Sequence, residues 1–258
     1  MIILVAESKT MAAGNSVPPS VYKANMPVME REAATIMRSL AGMTVQDLAR
    51  NVRISIAMAR RLQQMIIEFD DKTSGLMAIE AYTGVVFRAL DVATLDIAGR
   101  TAVGNRVRII SSLYGWLRPD DIVKSYRFDF TTRLAPGGTS FAAYWRDAVT
   151  DCLIREIVEG GCGEVLDLLP GDASKCIDWK RVAAEADVYK ADFVEACSGG
   201  KWKTPDSNRL KSLRGQLLRQ IVSEDICDAG DLAAITGDNY MAEPSMHRHG
   251  HLSFVTAR

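Results

Sequence analysis

The chain has 258 residues, 48% hydrophobic and 24% charged, with 31 Lys plus Arg against 32 Asp plus Glu. That composition fits a globular protein of one large or two small domains, long enough to bury a full core without disulfide staples. A formal net charge of −1 excludes a chain that is basic throughout and an acidic disordered one, but not a local basic face.

The apolar run Ile2 to Ala6 is too short for a secretory signal and has no basic residue before it. It predicts a buried strand that ends at Glu7-Ser8-Lys9-Thr10. Gly14, Pro18, Pro19 and Pro27 make residues 12–27 an irregular loop. Ala33, Ile36, Met37 and Leu40 recur at helical spacing over residues 29–40. Thr44 with Asp47 is close to a capping box and starts a second helix. A third starts at Ser55, with Ile56, Ala59, Leu62, Ile66 and Phe69 on its buried side.

Residues 78–82 read as a short strand, and Gly84 to Leu90 fits either helix or strand. Residues 101–117 read as a helix stopped by Pro119. Tyr126 to Phe130 alternates like a strand. Ser140 caps a long helix that Gly160-Gly161 ends. Residues 164–169 and 188–197 are strands, and Gly199-Gly200 is a turn. Residues 208–222 form an amphipathic helix, Asp231 caps a short one, and residues 239–256 form a two-stranded tail. No internal repeat, linker or regular βαβ alternation divides the chain. The expected fold is therefore a single compact α+β domain over residues 1–258.

No apolar stretch reaches the roughly 18 residues of a membrane helix. Cys152, Cys162, Cys176, Cys197 and Cys227 form no CxxC pair. Reduced, mostly buried thiols and a cytoplasmic location are expected, with no membrane partner. Cys176, directly after Lys175, is the only thiol with a hint of activation.

Charge is segmental. Residues 49–61 hold Arg50, Arg53, Arg60 and Arg61 and no acid, and residues 201–219 hold six basic residues against Asp206. Residues 100–133 hold seven basic residues against three acids, while the acids gather in residues 147–195 and 224–243. Within residues 209–219, Arg209, Lys211, Arg214 and Arg219 meet no acid at helical spacing, so their counter-charges must come from outside that segment.

The most distinctive segment is Leu113-Tyr114-Gly115-Trp116-Leu117-Arg118-Pro119-Asp120-Asp121, followed by Tyr126-Arg127 and Arg133-Leu134. It resembles the LYGxLRPxD and YRxxxxxRL elements of the YaaA family of bacterial peroxide-stress proteins. Ser8-Lys9-Thr10, Tyr82-Thr83-Gly84, Tyr144-Trp145, Leu166-Asp167-Leu168 with Ser174-Lys175, Lys211-Ser212-Leu213-Arg214-Gly215 with Arg219, and the closing Gly237, Tyr240 and Leu252-Ser253-Phe254 follow that family's order. One departure is DLLP at residues 167–170, where the family reads NLAS. The resemblance implies an α+β fold peculiar to the family and a role in limiting peroxide damage, with low free iron. It also implies kinship with helix-hairpin-helix DNA-binding proteins, and assigns no catalytic residue.

Residues 48–62 fit the hairpin pattern hxxhxGhGxxxAxxh in its apolar positions but carry Arg53 and Ser55 where it has glycines. They form a degenerate helix-hairpin-helix-like element. Arg50, Arg53, Ser55, Arg60 and Arg61, with Lys211, Arg214 and Arg219, are the candidate contacts to the phosphates of DNA, double-stranded or distorted and read without sequence preference. The alternative is an enzyme or binder of a small phosphorylated or nucleotide-like ligand. Its pocket would be formed by Lys9, Tyr114, Arg118, Tyr126, Arg127, Arg133, Lys175 and Arg214, with the tyrosines as a stacking or hydrogen-bonding wall. His247, His249 and His251 would share a face on a strand, yet an exposed polar stretch is the better reading. No metal or other cofactor is expected, and the balance leans to a binding protein over an enzyme.

Overall fold

β1 (Ile2–Ala6) is buried on both faces, the environment that an unbroken apolar run requires. The structure, a computed structural model, describes residues 1–12, 25–70, 75–197 and 201–256. Most of the predicted loop at 12–27 and the predicted Gly199-Gly200 turn lie outside the described residues.

α1 (Glu30–Leu40) buries Ala33, Ile36, Met37 and Leu40. α2 (Val45–Val52) starts at Thr44, whose Oγ1 accepts the Asp47 N–H at 3.1 Å and donates to Asp47 Oδ2 at 2.7 Å. α3 (Ile56–Ile67) is capped by Ser55 Oγ, which accepts the Met58 N–H at 3.2 Å. Ala59, Leu62 and Ile66 face inward as expected, whereas Ile56 is exposed.

The next segment departs from the pattern. A strand, β2 (Leu76–Met77), lies just before the residues expected to form one, and those residues turn instead into α4 (Ala78–Ala81). Buried Ala78, Ile79 and Ala81 satisfy either geometry, so apolar content could not separate the two. α5 (Val85–Leu90) follows. The helix expected over residues 101–117 stops at Arg106. α6 (Ile97–Arg106) gives way to β3 (Val107–Ser111) and β4 (Gly115–Leu117) because Val107, Ile109 and Ile110 pair beside β1. β5 (Ile122–Val123) pairs with β2. Tyr126, Phe128 and Phe130 are buried alternately as predicted, but their backbone joins no ladder.

α7 (Phe141–Gly160) has the predicted Ser140 cap and ends at Gly161, in the left-handed region at φ 61°. β6 (Glu164–Asp167), α8 (Trp179–Val182), β7 (Asp187–Ala196), β8 (Trp202–Lys203) and α9 (Ser207–Ser223) follow. In α10 (Ala229–Leu232) the cap is Asp228, not Asp231; Asp228 Oδ1 accepts the Asp231 N–H at 2.9 Å. The chain closes with β9 (Thr236–Gly237), β10 (Tyr240–Ala242) and β11 (His251–Thr256).

Among the described residues, nine strands form one sheet in the order β4-β3-β1-β6-β7-β11-β10-β9, with β8 on β7. β3, β1, β6, β7 and β11 run parallel. The α+β reading holds as a mixed fold around one core, and its parallel centre is invisible in sequence because 100 residues separate β1 from β3. The chain leaves β1 toward β3 on one side and leaves β6 toward β7 on the other. The carboxyl ends of β1 and β6 therefore flank a topological switch point, where an open α/β sheet leaves a crevice. α5 and α9 cover it. Their close approach depends on Gly215, where a Cβ would stand 2.3 Å from the Val86 carbonyl oxygen.

No helix among the described residues is long and apolar enough to cross a membrane. All five cysteines are free. Cys152 and Cys176 are buried, and Cys227 is exposed. The hint of activation at Cys176 is not met, because burial pushes its thiol up, away from the reactive thiolate.

Candidate functional site

The crevice is a cleft of about 490 Å³. The end of β1 supplies Val5, Ala6 and Glu7, and the next turn supplies Ser8, Lys9 and Thr10. Leu168, Pro170 and Asp172 come from the loop after β6, and Lys211 and Arg214 from α9. Val85, Phe87 and Arg88 of α5, with Asp129 and Phe130, complete the wall. Gly84 lets α5 start against the β1 turn, since a Cβ there would meet Ser8 Oγ at 2.1 Å.

Four cations, Lys9, Arg88, Lys211 and Arg214, face three acids, Glu7, Asp129 and Asp172. Lys9 Nζ binds Asp129 Oδ2 at 3.1 Å. Burial pushes the Asp129 carboxyl up, but hydrogen bonds from Thr131 and Lys9 outweigh it and leave it below the usual range. Lys211 is exposed and makes no ion pair among the described residues. The Arg214 Nε is buried without a hydrogen-bond partner among the described residues. Burial pulls the Arg214 guanidinium down, and Asp167, Asp192 and Asp172 oppose that without closing an ion pair on it. A buried N–H left unmatched costs free energy that a ligand oxygen can recover.

Glu7 anchors the floor. Its Oε1 accepts the Ser112 hydroxyl at 2.6 Å, and its Oε2 accepts the Ser112 N–H at 2.8 Å and the Tyr126 hydroxyl. The Tyr126 oxygen lies 2.7 Å from both the Tyr82 hydroxyl and Ser111 Oγ. Tyr126 spends its one hydrogen on Glu7, so Tyr82 and Ser111 both donate to it. Burial pushes the Glu7 carboxyl up to about 7, against the lowering effect of its three donors. Burial also raises both tyrosine hydroxyls, which stay neutral.

Of the eight residues expected to form the pocket, Lys9 and Arg214 line it. Tyr114 and Tyr126 are buried and form no stacking wall; Tyr126 reaches the cleft through Glu7. Tyr114 is structural, its hydroxyl accepting the Lys124 N–H at 3.0 Å. Arg118 turns to Glu156 at 3.6 Å, and Arg127 donates to the Lys9 carbonyl; neither lines the cleft. Arg133 and Lys175 are exposed and do not line it.

The expected nucleic-acid set divides as well. Lys211 and Arg214 belong to the cleft, and Arg219 donates to the Leu90 and Asp91 carbonyls at 2.7 and 2.9 Å, closing α5. Arg209 finds its counter-charge in Glu195 at 3.2 Å. Arg50 pairs with Asp47 at 3.4 Å. Arg53, Ser55, Arg60 and Arg61 are exposed around the α2–α3 turn, and none lines the cleft. Arg53 adopts φ 57°, in the left-handed region that favours glycine.

His247, His249 and His251 do not share a strand face, since only His251 lies in β11. His247 Nδ1 accepts the Ser253 N–H at 3.0 Å, which leaves Nε2 to donate to the Ala233 carbonyl at 3.2 Å. His251 Nδ1 lies 2.6 Å from Asp192 Oδ2. Among the described residues no group of three or more ligating side chains is placed to hold a metal.

Sequence reasoning missed Glu7. Its signal was position: a carboxylate that ends the central apolar strand, where parallel sheets place their ligands.

The family model described as Peroxide stress protein YaaA matches residues 1–246. A UPF0246 protein of Phocaeicola vulgatus is 28% identical over 256 residues, covering 98% of each chain. One from Bacteroides thetaiotaomicron is 28% identical over 257 residues, covering 99% of this chain and 98% of its own. One from Laribacter hongkongensis is 28% identical over 259 residues, covering 99% of both.

Proposed function

The chain belongs to the family of peroxide stress proteins named YaaA, and on that premise we propose that it serves the peroxide-stress response by holding a phosphate-bearing ligand in the cleft between β1 and β6. On this reading it is a cytoplasmic protein that limits oxidative, iron-dependent damage. The observation that carries it is Arg214, whose buried Nε has no hydrogen-bond partner among the described residues, beside Lys211, which makes no ion pair among them. Both project from α9 into one concave space with an apolar wall at Val85, Phe87 and Phe130.

Calorimetry of the full chain with trimetaphosphate at low salt tests this. Lys211→Ala and Arg214→Ala are each expected to weaken binding about tenfold or more, the loss of one charge-assisted contact. Unchanged affinity in both variants removes the reading.

A second reading is favoured by the α2–α3 turn. Arg53 has a positive φ at a position where the hairpin pattern carries glycine, Ser55 caps α3, and Arg60 and Arg61 stand exposed on α3. This element supports contact with the phosphates of duplex DNA. The triple change Arg53→Ala, Arg60→Ala, Arg61→Ala is expected to lower the log–log salt slope of duplex binding by about 2–3. Lys211→Ala should leave that slope unchanged. If the slope falls with Lys211→Ala and not with the arginines, nucleic acid sits in the cleft instead.

A further inference from the structure

Glu7 combines features that a structural carboxylate does not need. It lines the cleft and makes no ion pair among the described residues. Two serine donors and one tyrosine donor hold it. An ionised carboxylate offers about four lone-pair positions. Oε2 has both filled, by Ser112 N–H and Tyr126, and Oε1 has one filled, by the Ser112 hydroxyl. Among the described residues one position on Oε1 is left unfilled, and Glu7 lines the cleft. A single open position rules out two-pronged reading of a base edge and suits the carriage of one proton.

We propose that Glu7 is the proton-carrying residue of the cleft, delivering the proton on Oε1 to an oxygen of a phosphate ester whose charge is held by Lys211 and Arg214. The proposal rests on the cleft reading above and adds to it the ligand class and the proton. In the step, the Oε1–H bond breaks and an O–H bond forms on the ligand oxygen. The carboxylate left behind is held by its three donors, and a solvent proton reloads it. The ester's organic portion meets the apolar wall of Val85, Phe87 and Phe130.

The groups around Glu7 leave it alone to titrate near neutrality. Tyr82 and Tyr126 are held neutral by burial, and so is Cys176. From the cleft side it meets Lys9, Arg88, Lys211 and Arg214, and the acids Asp129 and Asp172. A bound anion therefore favours protonated Glu7.

Calorimetry with trimetaphosphate, which stays fully ionised across the range, in buffers of differing ionisation enthalpy reads the protons taken up on binding. Uptake of about half a proton is expected at pH 7, fading by pH 5.5. Glu7→Gln should bind without uptake. Tyr126→Phe removes a donor to Oε2, so its uptake profile should move to higher pH. Binding without uptake, uptake that persists in Glu7→Gln, or a Tyr126→Phe profile that does not move overturns the role of Glu7 and leaves the cleft reading standing. No binding by the unaltered protein overturns both.

Discussion

Trp145→Ala will destabilise the protein by about 3–5 kcal/mol, the range for deleting a large buried aromatic side chain. Trp145 is 1% exposed, its ring meets the Tyr144 ring edge-on at 4.7 Å, and it fills the space above Gly115. Its Nε1–H also donates to the Ser112 carbonyl at 2.9 Å. Truncation therefore leaves a cavity and a buried acceptor without its donor, and both effects have the same sign. Ser112 in turn gives its N–H and hydroxyl to Glu7, so α7 positions the cleft floor through this indole. Trp145→Phe keeps most of the volume and removes the N–H, and its expected cost is about 1–3 kcal/mol. Urea unfolding of both variants checks the order. A loss below about 1 kcal/mol for Trp145→Ala would contradict the packing described.

Stability will fall by about 3 kcal/mol between pH 4.5 and 7 through Glu7 alone. Its folded carboxyl titrates at about 7 against an ordinary 4.5, because burial penalises the charge. Between those values the folded state holds a proton that the unfolded chain has released. The contribution of Glu7 is complete below 4.5 and lost as pH rises through 7. Asp121, pushed up by burial to about 6, and Asp167, also raised by burial, slope the same way, so the total alone does not isolate Glu7. Glu7→Gln does. Relative to the unaltered protein it should gain about 3 kcal/mol on going from pH 4.5 to pH 8, read from urea midpoints at both. A gain below about 1 kcal/mol would place the carboxyl in solvent. A residue whose ionised form opposes folding, on the floor of a cleft, fits a site kept for chemistry and not for stability.

The resemblance blocks were legible as sequence, but several have structural roles. Gly115 and Trp116 belong to β4, Asp121 accepts the Arg118 N–H at 2.8 Å, and Tyr114 carries the Lys124 N–H. A motif rich in Arg, Tyr and Asp invites a binding role, and here it ties the segment after β3 into the core. Arg118 and Arg219 show the same ambiguity. Each is a cation near a helix or strand end, and each is taken up by a protein acceptor, Glu156 in one case and the α5 carbonyls in the other. Local sequence gives a charge without its partner, because the partner lies 38 residues away for Arg118 and about 130 for Arg219.

Features set by local forces follow from residue order alone. Thr44, Ser55 and Ser140 cap their helices because an N-cap hydroxyl meets an N–H three residues on. β1 is buried because an apolar run has no polar face to offer. That residues 107–111 form a strand depends on long-range contact, since pairing with β1 overrode a helical pattern. Which charges meet depends on it as well. The net charge of −1 left open whether the basic segments share a face. Folding split them: Lys211 and Arg214 go to the cleft, Arg53, Arg60 and Arg61 to the α2–α3 turn, and Arg118 and Arg219 to partners inside the molecule. The physical reason is that electrostatic partnership depends on distance in space, which chain order does not encode until parallel crossovers bring β1, β6 and α9 together.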